Sequence, residues 1–256
     1  MDNVKGLDIA NELHSLAVRY ETADFLPADP AWFMHQVSGK ENQETMAFLA
    51  SCISYGNRKQ FMPKIQYMLD CSRGNVYEWI KSGAFKNDIP DDENRCFYRL
   101  YTYATMHRMM AALQTMLNDY GSMGAYLATK CNNSKSCYDA VCAITSFFAH
   151  HDPTGGIVPK NAVSACKRVC MFIRWMVRDN SPVDLGLWND IIDKRTLIIP
   201  MDTHVLQQAV RLGLMQTRTA SMSSAIKLSA KLREIFPDDP MKGDFALFGY
   251  GVNAGK

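Results

Sequence analysis

A helical spacing of apolar residues recurs along this chain from residue 44 onward, with almost no alternating pattern to compete with it. In residues 44–55, Phe48, Leu49, Cys52 and Ile53 fall on one face of a helix, as a core-facing stripe requires. The same period predicts helices over 58–71, 76–82, 95–119, 122–129 and 136–150. Further helices are predicted over 163–178, 203–213, 221–235 and 242–251. The best strand candidate, TLIIP at 196–200, is short. The expected fold class is therefore all-α.

Breaks in the pattern fall at 86–94 (KNDIPDDEN), 150–161 (HHDPTGGIVPKN) and 178–184 (RDNSPVD), each rich in Pro, Asp, Asn or Gly. No internal repeat or low-complexity tract interrupts the chain. Apolar residues at 47% and charged residues at 21% exclude a disordered chain. No apolar run is long enough for a membrane span, so no membrane partner is expected. The start, MDNVKGLDIANELHS, lacks a basic segment followed by an apolar block, so an intracellular, cytoplasmic setting is expected. In that setting the eight cysteines read as reduced thiols.

The formal net charge of +2 does not by itself suggest a polyanion partner. Its distribution does. Residues 1–50 hold eight acids (Asp2, Asp8, Glu12, Glu21, Asp24, Asp29, Glu41, Glu44) against three bases (Lys5, Arg19, Lys40), so the rest of the chain is net basic. Three later stretches, 54–64, 95–118 and 157–178, contain bases and no acid. Acid-free stretches of this kind could meet a phosphate backbone, or could simply be solvated helix faces.

The richest segment is IIPMDTHVLQQAVRLGL, 198–214. Pro200 favours extended backbone before it, and Asp202 stands at a helix N-cap. Capping alone would explain an aspartate there. The string DTHV followed by RLGL also resembles a signature of the helix-hairpin-helix DNA glycosylase superfamily, in which endonuclease III-like enzymes carry a catalytic aspartate at the head of this helix. The residue matching it is Asp202. Residues 47–69 and 97–117 resemble two further helical segments of that superfamily, and 239–253 resembles its closing helix. Two departures stand out. Gln207 and Gln208 replace the usual basic and apolar pair, and no Gly-x-Gly hairpin precedes the second helix. Instead SACKRVCMFIRWMVR (164–178) opens a helix, with Lys167 at the place of the family's lysine. The interval from Lys167 to Asp202 is longer than the superfamily's usual one, with 179–197 as the insertion. Taken together, CKRVCMFIRWMVR, VDLGLW and IIPMDTH look like the DUF2400 family of bacterial proteins.

The resemblance implies a two-lobed helical glycosylase-like fold with a cleft between the lobes. Residues 45–178 would form a helix-bundle lobe with a degenerate hairpin, and 1–44 with 179–256 the second lobe. It implies a DNA-binding protein of base-excision-repair type, a DNA glycosylase with AP-lyase activity through Lys167 and Asp202. The partner would be double-stranded DNA with a damaged base, extruded so that its sugar carbon can be reached. Tyr55, Asn57, Arg58, Arg99, Arg174, Arg178 and His204 are the candidate DNA contacts. On the predicted helix, Lys167, Cys170, Arg174 and Arg178 share one face, while Val169, Phe172, Ile173 and Met176 lie opposite. Surface salt bridges would equally suit Arg174 and Arg178, and a solvated role would suit Lys167. No cofactor and no metal are expected: Cys131, Cys137, Cys142, Cys166 and Cys170 lack zinc spacing, His150-His151-Asp152 reads as a capping loop, and the iron–sulfur cysteine cluster of endonuclease III is missing. A non-catalytic nucleic-acid-binding module that keeps the fold is the alternative, and a helical scaffold with neither role is the third reading.

Overall fold

The computed structural model describes residues 2–254. Its helices in chain order are α1 (Asp2–Tyr20), α2 (Lys40–Ile53), α3 (Arg58–Ser72), α4 (Val76–Lys81), α5 (Phe85–Asp88), α6 (Tyr103–Tyr120), α7 (Met123–Cys131), α8 (Cys137–His151), α9 (Lys167–Val177), α10 (Thr203–Arg211), α11 (Met222–Ile235) and α12 (Lys242–Ala254). Short 3-10 turns lie at Ala23–Ala28, Pro30–His35 and Lys194–Thr196. The fold is mostly helical. Among the described residues, no helix is long and apolar enough to cross a membrane.

Two expectations need correction. The segment 95–102 is not the start of a helix but an antiparallel hairpin, β1 (Cys96–Tyr98) and β2 (Tyr101–Thr102). Its aromatic and β-branched residues suit a pleated surface, and Thr102 then caps α6 by accepting from the Thr105 N–H. TLIIP is not a strand: Thr196 ends a 3-10 turn, and Leu197–Met201 runs as buried irregular chain. The Ile199 N–H finds its partner in the Ser229 hydroxyl rather than in a ladder, at 2.8 Å.

The chain divides into two compact units. One comprises 1–27, 135–138 and 162–256; the other comprises 28–134 and 139–161. The boundary near 178 expected from the sequence differs from this division, because α9 clusters with the C-terminal helices. In the unit 28–134 with 139–161, α2 packs on α3, α4 and the turn Pro30–His35, while α6 packs on α4 and α7. Phe48 stacks on Phe148 in its core, with centroids 5.1 Å apart. The buried Glu44 carboxylate caps α7, accepting from Met123 N at 2.8 Å and Gly124 N at 2.9 Å. In the other unit, α1 lies along α12, and α12 also packs on α10. That approach requires Gly249, where a Cβ would come within 2.2 Å of the Tyr20 ring. Helix α9 is its most buried element: Val169, Phe172, Ile173, Trp175, Met176 and Val177 are all in the core.

Candidate active site at the heads of two helices

Cys166 adopts the left-handed conformation, φ 45°, and caps α9 without a side-chain bond, so Lys167 is the first residue of the helix. The buried run Leu197–Met201 delivers the chain from the core to Asp202, which is extended and caps α10. The two oxygens of this carboxylate divide their work. Oδ1 accepts from the Val205 N–H at 2.8 Å, and Oδ2 accepts from Lys167 Nζ at 2.8 Å. The pair is partly open to solvent, with the lysine side chain 38% and the aspartate 30% exposed.

Burial works to raise the Asp202 carboxyl. Lys167, the Val205 N–H and the nearby His204 outweigh it and hold the group below its ordinary range. The α10 N-terminus adds its dipole in the same sense. Asp202 is thus a carboxylate kept ionised beside a primary amine. Chemically, the carboxylate can oppose positive charge developing next to it, and the lysine becomes a nucleophile once it has lost its proton.

Farther along α9 the same face passes into the core, which overturns the expected DNA contacts of Arg174 and Arg178. Arg174 is 6% and Arg178 1% exposed. Arg178 donates to both Asp239 oxygens, to Asp184 Oδ2 at 2.6 Å and to Glu21 Oε1 at 2.6 Å. Arg174 donates to Asp184 Oδ1 at 3.2 Å and to Asp244. Both guanidiniums also lie over the Phe245 ring. Burial alone would lower the Arg178 pKa, but Asp184, Asp239 and Glu21 raise it beyond the ordinary value. Two guanidiniums face four carboxylates here, so the cluster has more acid than base. Asp244 is pushed up, by burial first and by the charge of Asp202 as well, against the opposing pull of Arg174 and Lys167. Asp244 thus feels the charges of Lys167 and Asp202, while its hydrogen bond is to Arg174.

In the unit 28–134 with 139–161, Arg99 lies against Tyr55, and Asn57 and Arg58 follow Tyr55 at the turn into α3. The Tyr55 ring meets Tyr98 and Tyr101 at centroid distances of 5.0 and 5.2 Å, and the Arg99 guanidinium lies 5.4 Å from it. Tyr98 donates its hydroxyl proton to the Tyr55 carbonyl. Gly56 is required between these groups: φ is 79°, and a Cβ would sit 2.2 Å from Arg99 Nη1. Asn57 caps α3 through the Lys59 N–H. Arg58 is exposed but leans on the Ala28 carbonyl at 3.0 Å and on Asp29 at 3.7 Å. His204 is exposed in the first turn of α10.

Leu100 was missed. It stands 87% exposed at the hairpin tip, beside Arg99 in the left-handed conformation. Reading 95–119 as one helix hid it, although the dense Tyr, Phe and Thr of 97–103 were a β signal. The acid-free stretch 95–118 is also less free than it reads, since Arg108 pairs with Glu93 at 2.6 Å and lies 3.8 Å from the buried Asp152. Among the described residues, no three His, Cys, Asp or Glu side chains converge as a metal site. His151 instead stacks on Phe147.

Comparison with curated proteins and with solved structures finds no match to either. A family match covers residues 29–253, which includes both the Tyr55–Arg58 turn and the Lys167–Asp202 pair. The chain belongs to the family described as protein of unknown function (DUF2400).

Proposed function

We propose that this protein is a DNA glycosylase of base-excision-repair type with AP-lyase activity, built on a two-lobed endonuclease III-like fold. The observation that carries the reading is the 2.8 Å contact between Lys167 Nζ and Asp202 Oδ2, made by residues 35 apart in sequence. These are the two positions at which the superfamily resemblance expects a nucleophile and a catalytic carboxylate.

In the proposed reaction, the Lys167 ammonium first gives its proton to solvent as the nucleotide enters, and the free amine then attacks C1′ of the extruded nucleotide. A C–N bond forms as the glycosidic bond breaks, and the base leaves with the bonding pair and takes up a proton. Asp202, held ionised, opposes the positive charge on the sugar. Opening of the sugar ring then leaves a Schiff base on Nζ. Tyr55, Asn57, Arg58, Arg99 and His204 remain the candidate DNA contacts. Leu100, exposed at the tip of the hairpin, joins them as an apolar side chain on which a base can rest.

Borohydride reduction tests this directly. On duplexes carrying damaged bases or abasic sites, the wild-type protein is expected to form a covalent adduct, and Lys167→Gln none. Failure of the wild-type protein to bind duplex DNA with an abasic analogue at low salt overturns the reading. The second reading, a non-catalytic nucleic-acid-binding module, draws on the start of α9 at Cys166 with no Gly-x-Gly before it. It predicts binding without any adduct.

A further inference from the structure

A groove of about 310 Å³ runs along α10, lined by Thr203, Leu206, Gln207, Val210, Arg211 and Arg218. Five of these recur at the spacing of one helix strip, and the strip begins at the residue after Asp202. Leu206 is buried and Val210 half-buried, which makes an apolar floor. Gln207 and Arg211 are exposed on the rim, and Arg218 reaches it from the chain that follows α10. No acid lines the groove. Among the described residues neither arginine makes an ion pair: Arg211 donates only to Gln208 Oε1, at 3.3 Å.

We infer that this groove holds one nucleotide of a DNA strand, flanking the nucleotide at the Lys167–Asp202 pair. Its phosphate lies on Arg211 and Arg218, and its sugar and unstacked base lie on Leu206 and Val210. This rests on the function proposed above. Three features select the occupant. The volume is at the lower end for small-ligand sites, which suits a single nucleotide and not a protein helix. Two guanidiniums without a counter-acid complement a phosphodiester. An apolar floor takes the face of an unstacked base and has nothing to offer the paired edges of a duplex.

The test measures binding of a short fluorescein-labelled thymidine oligomer across a salt series. The double variant Arg211→Gln/Arg218→Gln is expected to bind about tenfold more weakly at low salt. Its log–log salt slope should be shallower by about 1.4, the value for two single-strand phosphate contacts. Val210→Glu should weaken binding at least as much, and Lys227→Gln, on α11 outside the groove, should bind as wild type does. Circular dichroism checks that each variant is folded. Wild-type affinity and slope in the double variant overturn the inference, as does failure of the wild-type protein to bind the oligomer. Thymidine monophosphate binding as tightly as the oligomer also overturns it, since the site would then serve a free nucleotide. The two proposals fail separately: an intact borohydride adduct with no groove effect removes only the groove, and a groove effect with no adduct removes only the lyase.

Discussion

The two ends of α9 carry the same kind of residue on the same face and put it to opposite uses. At the head, Lys167 meets one carboxylate and stays 38% exposed. At the tail, the Arg178 side chain is 1% exposed and enclosed by Asp184, Asp239 and Glu21. A half-exposed ion pair is screened by water and adds little to stability. A buried guanidinium held by several carboxylates is indispensable once built, because removing it strands charges without solvent. The lesson is that basic character on a helix face does not identify a binding surface. Depth does.

The largest expected effect comes from breaking the buried end. Arg178→Met leaves Asp184, Asp239 and Glu21 without their shared cation and should destabilise the protein by about 3–5 kcal/mol in equilibrium urea unfolding. Lys167→Met should cost less than about 1 kcal/mol in the same assay. Equal losses at the two positions would erase the distinction.

Next in size is the effect on chemistry at the exposed end. Asp202→Asn should slow base release by about 100- to 1,000-fold, followed by product assay on lesion-containing duplexes. Asn caps a helix about as well as Asp, so the unfolding midpoint should move little. A large loss of stability with unchanged base release would make Asp202 a cap and nothing more.

A smaller effect is the pH dependence of stability, where the two ends should show opposite signs. Asp202 is held below its ordinary range, so its contribution is present above the unfolded carboxyl pKa, about 4, and disappears as pH falls through the lower folded value. Asp244 is pushed up, so from about pH 4 to its raised value the folded protein holds a proton that the unfolded chain has released. Stability therefore declines as pH rises through that window. Urea midpoints measured across pH should lose the acid-side decline in Asp202→Asn and the higher-pH decline in Asp244→Asn. The same sign in both variants would contradict the contrast between rim and core.

The smallest effect concerns the hairpin and turn. Arg99→Gln should make the salt slope for duplex binding shallower by about 0.9, the value of one phosphate contact. Arg58→Gln should change it less, because Asp29 already stands 3.7 Å from that guanidinium. No change in slope for either would take this region out of the DNA interface.

Local rules made much of this protein legible from its sequence. Apolar spacing located α2, α3, α4 and α7 through α12 to within a few residues, and the end but not the start of α6, because a helix face is written in neighbours three and four apart. The N-cap at Asp202 was equally local, since Pro200 and the run after Thr203 announce where the helix starts. What tertiary structure alone decided was depth and partnership. Glu21 read as part of an acidic surface region, yet it is a counterion of Arg178, 157 residues away. Arg174 and Arg178 read as DNA contacts because nothing near them in sequence announces Asp239 or Asp244. The hairpin at 96–102, too short to leave a period, placed Tyr98, Arg99 and Tyr101 around Tyr55. Lys167 and Asp202 could each be named from the chain, but their 2.8 Å contact depends on a buried connection, Leu197–Met201, that has no regular structure to predict. Periodicity reports which way a side chain points; whether water or a carboxylate waits there is set by segments far away in sequence.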